Sequence, residues 1–305
     1  MTLLLHPGFH KTATSWLQET VFAERRLFRS LMNHHQIDEL LVRPHDLDFD
    51  PQAAAQEIAD RRANPRPGVV DVISSEILSG NIIMGSRDSY ALADRLAAST
   101  GPAKVLLTIR AQKPITKSIY LQYVKRGGRL DIEEFLTFEP EPGYFWFDPS
   151  TLEFDKLAKV YANHFGSENV LVLPQELLVR DRPRYLRLLM AFAGLEESKA
   201  EQDLAALSAR SISPPVSGIP ILRLANSISQ SPFNPRPPSR LSWFGSLIER
   251  AGYRWTFGEG RAAARISQAI EANLTRRYGA SNHRLQQYCP VDLRALGYEV
   301  EEQPR

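Results

Sequence analysis

The apolar run Leu3-Leu4-Leu5-His6 passes straight into Pro7-Gly8 and then into a helix-spaced segment that begins at Thr12. A strand this short and this apolar must be covered on both faces, which makes it an interior strand of a layered sheet. The same unit recurs along the chain. Strands read at Thr2–His6, Val69–Ser74, Lys104–Arg110 and Asn169–Leu173. Helices read at Thr12–Phe28, Pro51–Arg62, Ser86–Ala98, Lys113–Arg126, Asp131–Phe138, Thr151–Phe165 and Arg182–Ala193. Alternation of this kind predicts an α/β, three-layer fold. About four or five parallel strands form the central sheet, helices flank it, and the first strand–loop–helix unit is P-loop-like.

The pattern changes near Ser211, where Pro214, Pro215 and Pro220 are followed by Pro232, Pro235, Pro237 and Pro238. A helix fits Ile219–Ile228 and another Arg261–Tyr278, and the tail Asn282–Val300 reads as docked. The whole chain, 1–305, is expected to form one domain: a core over about 1–195 and a Pro-rich, helical covering segment over about 205–305. The chain's 43 % of apolar residues suffice for a sizeable core. Its one cysteine, Cys289, excludes an internal disulfide framework and a multi-cysteine zinc site.

A balance of 37 basic against 35 acidic residues gives no footprint for non-specific nucleic-acid binding. No apolar run approaches the ~18 residues of a membrane span, and Met1–His6 lacks the basic start of a signal peptide. The chain therefore reads as soluble and cytoplasmic. No convincing metal-ligand cluster is present; the side chains of His34 and His35 diverge on a helix and read as surface.

The loop after the first strand carries the chemistry. Backbone amides at a helix start carry the positive end of its dipole and favour phosphate or sulfate. Lys11 adds a full charge, and Thr12, Thr14 and Ser15 add hydroxyls. Against the nucleotide-triphosphatase pattern G-x-x-x-x-G-K-[ST], Gly8 and Ser15 match the ends, but Ala13 replaces the second Gly and Thr14 the Lys. A loop cradling one phosphate fits better than a triphosphatase loop. Plain Ser/Thr capping of a helix is the competing explanation.

His10-Lys11-Thr12-Ala13-Thr14-Ser15-Trp16-Leu17 resembles the 5′-phosphosulfate loop of sulfotransferases, P-K-S-G-T-T-W-L. Lys11, Thr14, Trp16 and Leu17 match it, Thr12 and Ser15 are hydroxyl exchanges, and Ala13 departs from Gly in a position where Ala still suits a first helical turn. Ile109 to Tyr120 resembles the family's 3′-phosphate motif, R-N-P-K-D-x-x-x-S-x-Y: Arg110, Lys113, Ser118 and Tyr120 match, with Ser118 eight positions after Arg110, while Ala111, Gln112 and Pro114 do not. Arg110 at a strand's carboxyl end can fork onto a phosphate. Taken singly, Arg110 and Ser118 are also what an ordinary surface would carry.

Softer similarities are Ser74-Ser75-Glu76 after the second strand and the segment Leu171 to Leu178. The third family motif, G-x-x-G-x-x-K, is missing; Gly127-Gly128-Arg129 and Gly258-Glu259-Gly260-Arg261 are loose stand-ins.

The resemblance implies transfer of a sulfuryl group from 3′-phosphoadenosine 5′-phosphosulfate (PAPS) to a hydroxyl or amine, with no metal. The acceptor could be a small molecule, a carbohydrate or a lipid. It implies donor binding by Lys11, Thr12, Ala13, Thr14, Ser15, Trp16, Arg110 and Ser118, with Lys11 also catalytic. Glu76 is the leading candidate for the base and His10 the runner-up; Glu176 reads as structural, tying a loop to the helix after it. Trp243, Tyr253 and Trp255 either line an acceptor pocket or fill core beneath a long loop. A small-molecule kinase on the same sheet, and a non-catalytic partner-binding protein on a sulfotransferase scaffold, are the alternatives.

Overall fold

The computed structural model describes residues 2–195, 215–235 and 242–301. They group into two compact units, one built from 1–111, 150–210 and 278–305, the other from 112–149 and 211–277. The tail beyond 277 thus belongs with the N-terminal part of the chain, and the segment 211–277 with 112–149.

The first unit holds a five-stranded sheet. Its strands are β1 (Leu3–His6), β2 (Phe28–Ser30), β3 (Val70–Ser74), β4 (Lys104–Ile109) and β5 (Val170–Pro174). All neighbours run parallel, in the order β2-β3-β1-β4-β5. Leu3, Leu4, Leu5, Val105, Leu106, Leu107, Val172 and Leu173 are almost wholly buried, as strands covered on both faces require. Each fully buried side chain of this size contributes about 1.5–3 kcal/mol. Helices Pro51–Arg62, Ser89–Thr100, Phe154–Phe165, Arg182–Ala193 and Gly279–Leu285 belong to this unit. Asp155, buried on one of them, accepts from Ser281 and pairs with Arg284 at 2.6 Å, which docks the tail helix.

Four of the strands lie where sequence periodicity predicts them; β2 does not. The helix expected over Thr12–Phe28 stops early: Thr14–Trp16 is α-helical, Leu17–Val21 continues in a wider turn, and Phe22 N–H closes on Leu17 O at 2.8 Å. Glu24 O then takes the amides of both Leu27 and Phe28 and turns the chain back to the sheet. The reason is tertiary. Asp71, 2 % exposed on β3, accepts from Arg29 Nε at 2.7 Å and Arg62 Nε at 3.3 Å, and a buried carboxylate so paired holds the edge strand in register.

The second unit is helical, with helices Gln112–Lys125, Ile132–Thr137, Ile219–Ile228, Ser242–Arg254 and Glu259–Leu274. Asp131 caps the second of these through a reciprocal box with Glu134. Tyr123, Phe135, Trp146 and Phe233 form an aromatic cluster with ring centroids 5.0–6.5 Å apart. No helix among the described residues is long and apolar enough to cross a membrane.

Candidate anion-binding site

In an open parallel sheet the ligand crevice opens beyond the strands' carboxyl ends, where the strand order reverses. Here the chain leaves β1 toward β2 and leaves β4 toward β5, so the reversal falls between β1 and β4. Residues 7–13 and Arg110 flank that point. The loop is tied to β4 by Phe9 N–H donating to Thr108 O at 3.1 Å.

Two residues that are not glycine adopt the left-handed region in this loop, Lys11 at φ 68° and Ala13 at φ 67°, ψ 21°. Such angles cost an L-residue roughly 1–2 kcal/mol, and left-handed residues next to helical ones gather successive amides into an anion-binding concavity. Ala13 therefore does not sit in the first helical turn, where Ala would be at ease. It stands one residue before the helix, in a conformation that Gly adopts freely.

Gly8 answers a different demand, that of space. A Cβ there would lie 2.3 Å from Thr108 Oγ1 and 2.5 Å from His6 Nε2.

The hydroxyls are not all free for a ligand. Thr12 is buried and donates to Phe9 O at 2.5 Å; Thr14, also buried, donates to the same oxygen at 3.4 Å. Ser15 is exposed, and Lys11 and His10 are half-buried. His10 Nε2 meets Gly80 O at 3.0 Å, so that nitrogen carries the proton. Trp16 is buried with its indole N–H bonded to no described residue, and the Arg182 guanidinium lies 5.6 Å from its ring centroid.

Arg110 is half-buried just past β4, and its guanidinium makes no hydrogen bond to any described residue. Burial pulls its pKa down, and the Glu176 carboxylate opposes that. Glu176 accepts from Ala111 N–H at 3.0 Å and from the Tyr298 hydroxyl at 2.8 Å. Burial, then the Glu176 charge, push the Tyr298 phenol far up, which keeps it a donor. Glu176 is structural, but it ties the turn after β4 to the C-terminal tail rather than to its own helix. Sequence reasoning assigned no role to Tyr298 or to His6.

Glu76, half-buried at the end of β3, makes no side-chain hydrogen bond to any described residue. His34 is exposed as expected, yet its Nδ1 reaches Ser75 Oγ at 2.8 Å.

Ser118 is half-buried on helix Gln112–Lys125 of the second unit, and Lys113 there pairs with Glu271 at 2.9 Å. Gly127-Gly128 is a packed turn: a Cβ would meet Ser231 at 2.0 Å and the Tyr123 ring at 2.3 Å, so this stand-in for a third motif is occupied by protein. Trp255 is 48 % exposed, which removes it from any core; the Trp243 side chain lies outside the described residues.

No protein-family model and no curated protein matches the chain. Solved structures do resemble it. A sulfotransferase from Alicyclobacillus acidocaldarius aligns at TM-score 0.48 and 16 % identity, over 92 % of this chain and 99 % of its own. Mouse sulfotransferase SULT7A1, complexed with PAP, aligns at 0.40 and 13 %, over 93 % and 88 %. The sulfotransferase domain of the Synechococcus PCC 7002 olefin synthase aligns at 0.40 and 13 %, over 82 % and 93 %.

Proposed function

We propose that the chain transfers a sulfuryl group from PAPS to an acceptor hydroxyl or amine. The observation that carries this reading is the tie between Phe9 N–H and Thr108 O, which joins the left-handed Lys11–Ala13 loop to β4 two residues before the Arg110 guanidinium, which hydrogen-bonds to no described residue. Two phosphate-directed groups at the reversal point of one sheet suit a nucleotide phosphorylated at both ends of its ribose.

The donor supplies the sulfuryl group; the rest falls to the chain. Lys11 and the loop amides neutralise the 5′-phosphate as charge grows on it, which is the electrostatic work that in-line transfer needs most. Arg110 holds the 3′-phosphate, and Ser118 is carried over as a donor-binding residue from its match to the motif alone. Glu76 takes the acceptor proton as the bond from sulfur to the acceptor oxygen or nitrogen forms and the bond from sulfur to the 5′-phosphate oxygen breaks, the phosphate leaving with that electron pair. Its half-burial and the lack of a hydrogen-bond partner among the described residues favour it over His10, whose Nε2 proton is committed to Gly80 O. A kinase reading needs a Lys where Thr14 points its hydroxyl at Phe9 O. Acceptors remain small molecules, carbohydrates or lipids.

Calorimetry with adenosine 3′,5′-bisphosphate against AMP tests the donor half of this reading. Preference for the bisphosphate is expected; equal affinities overturn it. Transfer of labelled sulfate from PAPS to a mixed acceptor panel tests the reaction.

A further inference from the structure

A continuous polar chain crosses the top of the sheet from β3 through β1 to β4 and ends in the anion loop. Gln18 Nε2 lies 3.2 Å from Ser74 Oγ, Ser74 Oγ 2.7 Å from His6 Nδ1, His6 Nε2 3.2 Å from Thr108 Oγ1, and Thr108 Oγ1 2.8 Å from Thr12 Oγ1. Thr12 Oγ1 lies 2.5 Å from Phe9 O. His6, Thr12 and Thr108 are almost wholly buried, so water cannot substitute for a missing partner.

Counting protons fixes its direction. The Phe9 carbonyl can only accept, so Thr12 spends its one hydroxyl proton there. Thr108 must then donate to Thr12. With that proton used, Thr108 can only accept from His6, so His6 carries its proton on Nε2. A neutral imidazole leaves Nδ1 as acceptor, which the Ser74 hydroxyl fills, and Ser74 in turn accepts from the Gln18 amide. The protons of the three hydroxyls and of the neutral imidazole thus have a single arrangement from Ser74 to Phe9 O. Burial without a counter-charge keeps the ring neutral, its pKa pulled down to about 3.

We infer that His6, held as the Nε2–H tautomer, is a positioning residue for the anion loop. It sets the sense in which Thr108 and Thr12 donate, and so keeps the Phe9 carbonyl engaged at the start of the loop. Left with only the long Thr14 contact at 3.4 Å, that oxygen would repel the anion that the loop receives. The inference rests on the reading that residues 8–15 bind a phosphate or sulfate group. Gly8 belongs to the same device, since any Cβ would wedge between His6 Nε2 and Thr108 Oγ1.

Two measurements test it. Long-range ¹H–¹⁵N correlation on the histidine-labelled full chain reads the tautomer directly. A neutral Nε2–H ring is expected for His6; an Nδ1–H ring or an imidazolium overturns the inference, whatever the fate of any variant. Calorimetry with adenosine 3′,5′-bisphosphate and with inorganic phosphate then compares Thr108→Val with Thr108→Ser. The Val variant loses the hydroxyl's bonds to both Thr12 and His6 and is expected to weaken both ligands roughly tenfold, and Ser should recover most of it. A role in stability alone would lower the melting temperature of Thr108→Val and leave affinity, measured well below melting, unchanged; that outcome overturns the positioning role by itself. If the wild-type chain binds neither ligand, the reading of the loop fails and the positioning role goes with it.

Discussion

Tyr298 donates its hydroxyl to Glu176 Oε2 across 2.8 Å, and the other oxygen of that carboxylate takes the amide of Ala111, next to Arg110. One acidic side chain thus fastens the C-terminal tail and the turn that presents the guanidinium. Removing the hydroxyl in Tyr298→Phe should cost about 1–2 kcal/mol of unfolding free energy, read by urea titration. Glu176→Ala should cost more, since it orphans both donors. A Glu176→Ala loss no larger than that of Tyr298→Phe would show that the Ala111 bond contributes nothing.

Arg110→Ala should weaken adenosine 3′,5′-bisphosphate by about 1.5–3 kcal/mol, the range of a charge-assisted hydrogen bond, and leave AMP nearly unaffected. Calorimetry on the two nucleotides separates these cases. A parallel loss for both would mean that Arg110 supports the fold or the 5′ end instead.

Glu76→Gln keeps shape and removes basicity. Turnover should fall by about 10²–10⁴-fold while donor affinity stays within a factor of a few. The deficit should shrink along a series of acceptors of falling pKa, because an acceptor already ionised needs no base. A deficit equal for all acceptors, or one that follows donor affinity, removes Glu76 from the proton step.

His6 makes stability depend on pH. Its ring titrates at about 3 in the folded chain against 6.5 in the open chain. Between those values the unfolded chain binds more protons, so stability rises with pH there. The contribution is complete above about pH 6.5 and is lost as pH falls toward 3. The full span is on the order of 4–5 kcal/mol. Urea titrations from pH 7 to pH 4 should show a steeper decline for the wild type than for His6→Asn, and groups common to both cancel in the difference. Parallel declines would place His6 in contact with solvent.

Ala13→Gly should stabilise the chain by about 0.5–1 kcal/mol, the relief at φ 67° outweighing the added freedom of the unfolded state. Ala13→Val should do the reverse. Denaturant midpoints check both; a destabilised Gly variant would mean that the loop does not hold this conformation in solution.

Much of this was legible in the residue pattern. The interior strands announce themselves because both faces are buried, and the loop after β1 because few other arrangements put Lys and three hydroxyls behind Pro-Gly. Strand β2 was hidden: Leu27 and Phe28 fall at spacings that continue a helix, and only the distant Asp71 decides otherwise. The left-handed turn at Ala13 was hidden because alanine is no marker of that angle. His6 was visible as a polar residue ending an apolar strand, but its role depends on Thr108, which lies 102 positions further on.

The pairing of Asp71 with Arg29 also bears on solubility. Without β2, the outer margin of β3 would present the backbone beside Val70 and Val72 to any passing strand of another copy. With it, the sheet ends instead in three residues, Phe28, Arg29 and Ser30, of which the last two are polar. Short, charged borders of this kind resist strand addition. A single carboxylate therefore guards this edge of the sheet against strand addition.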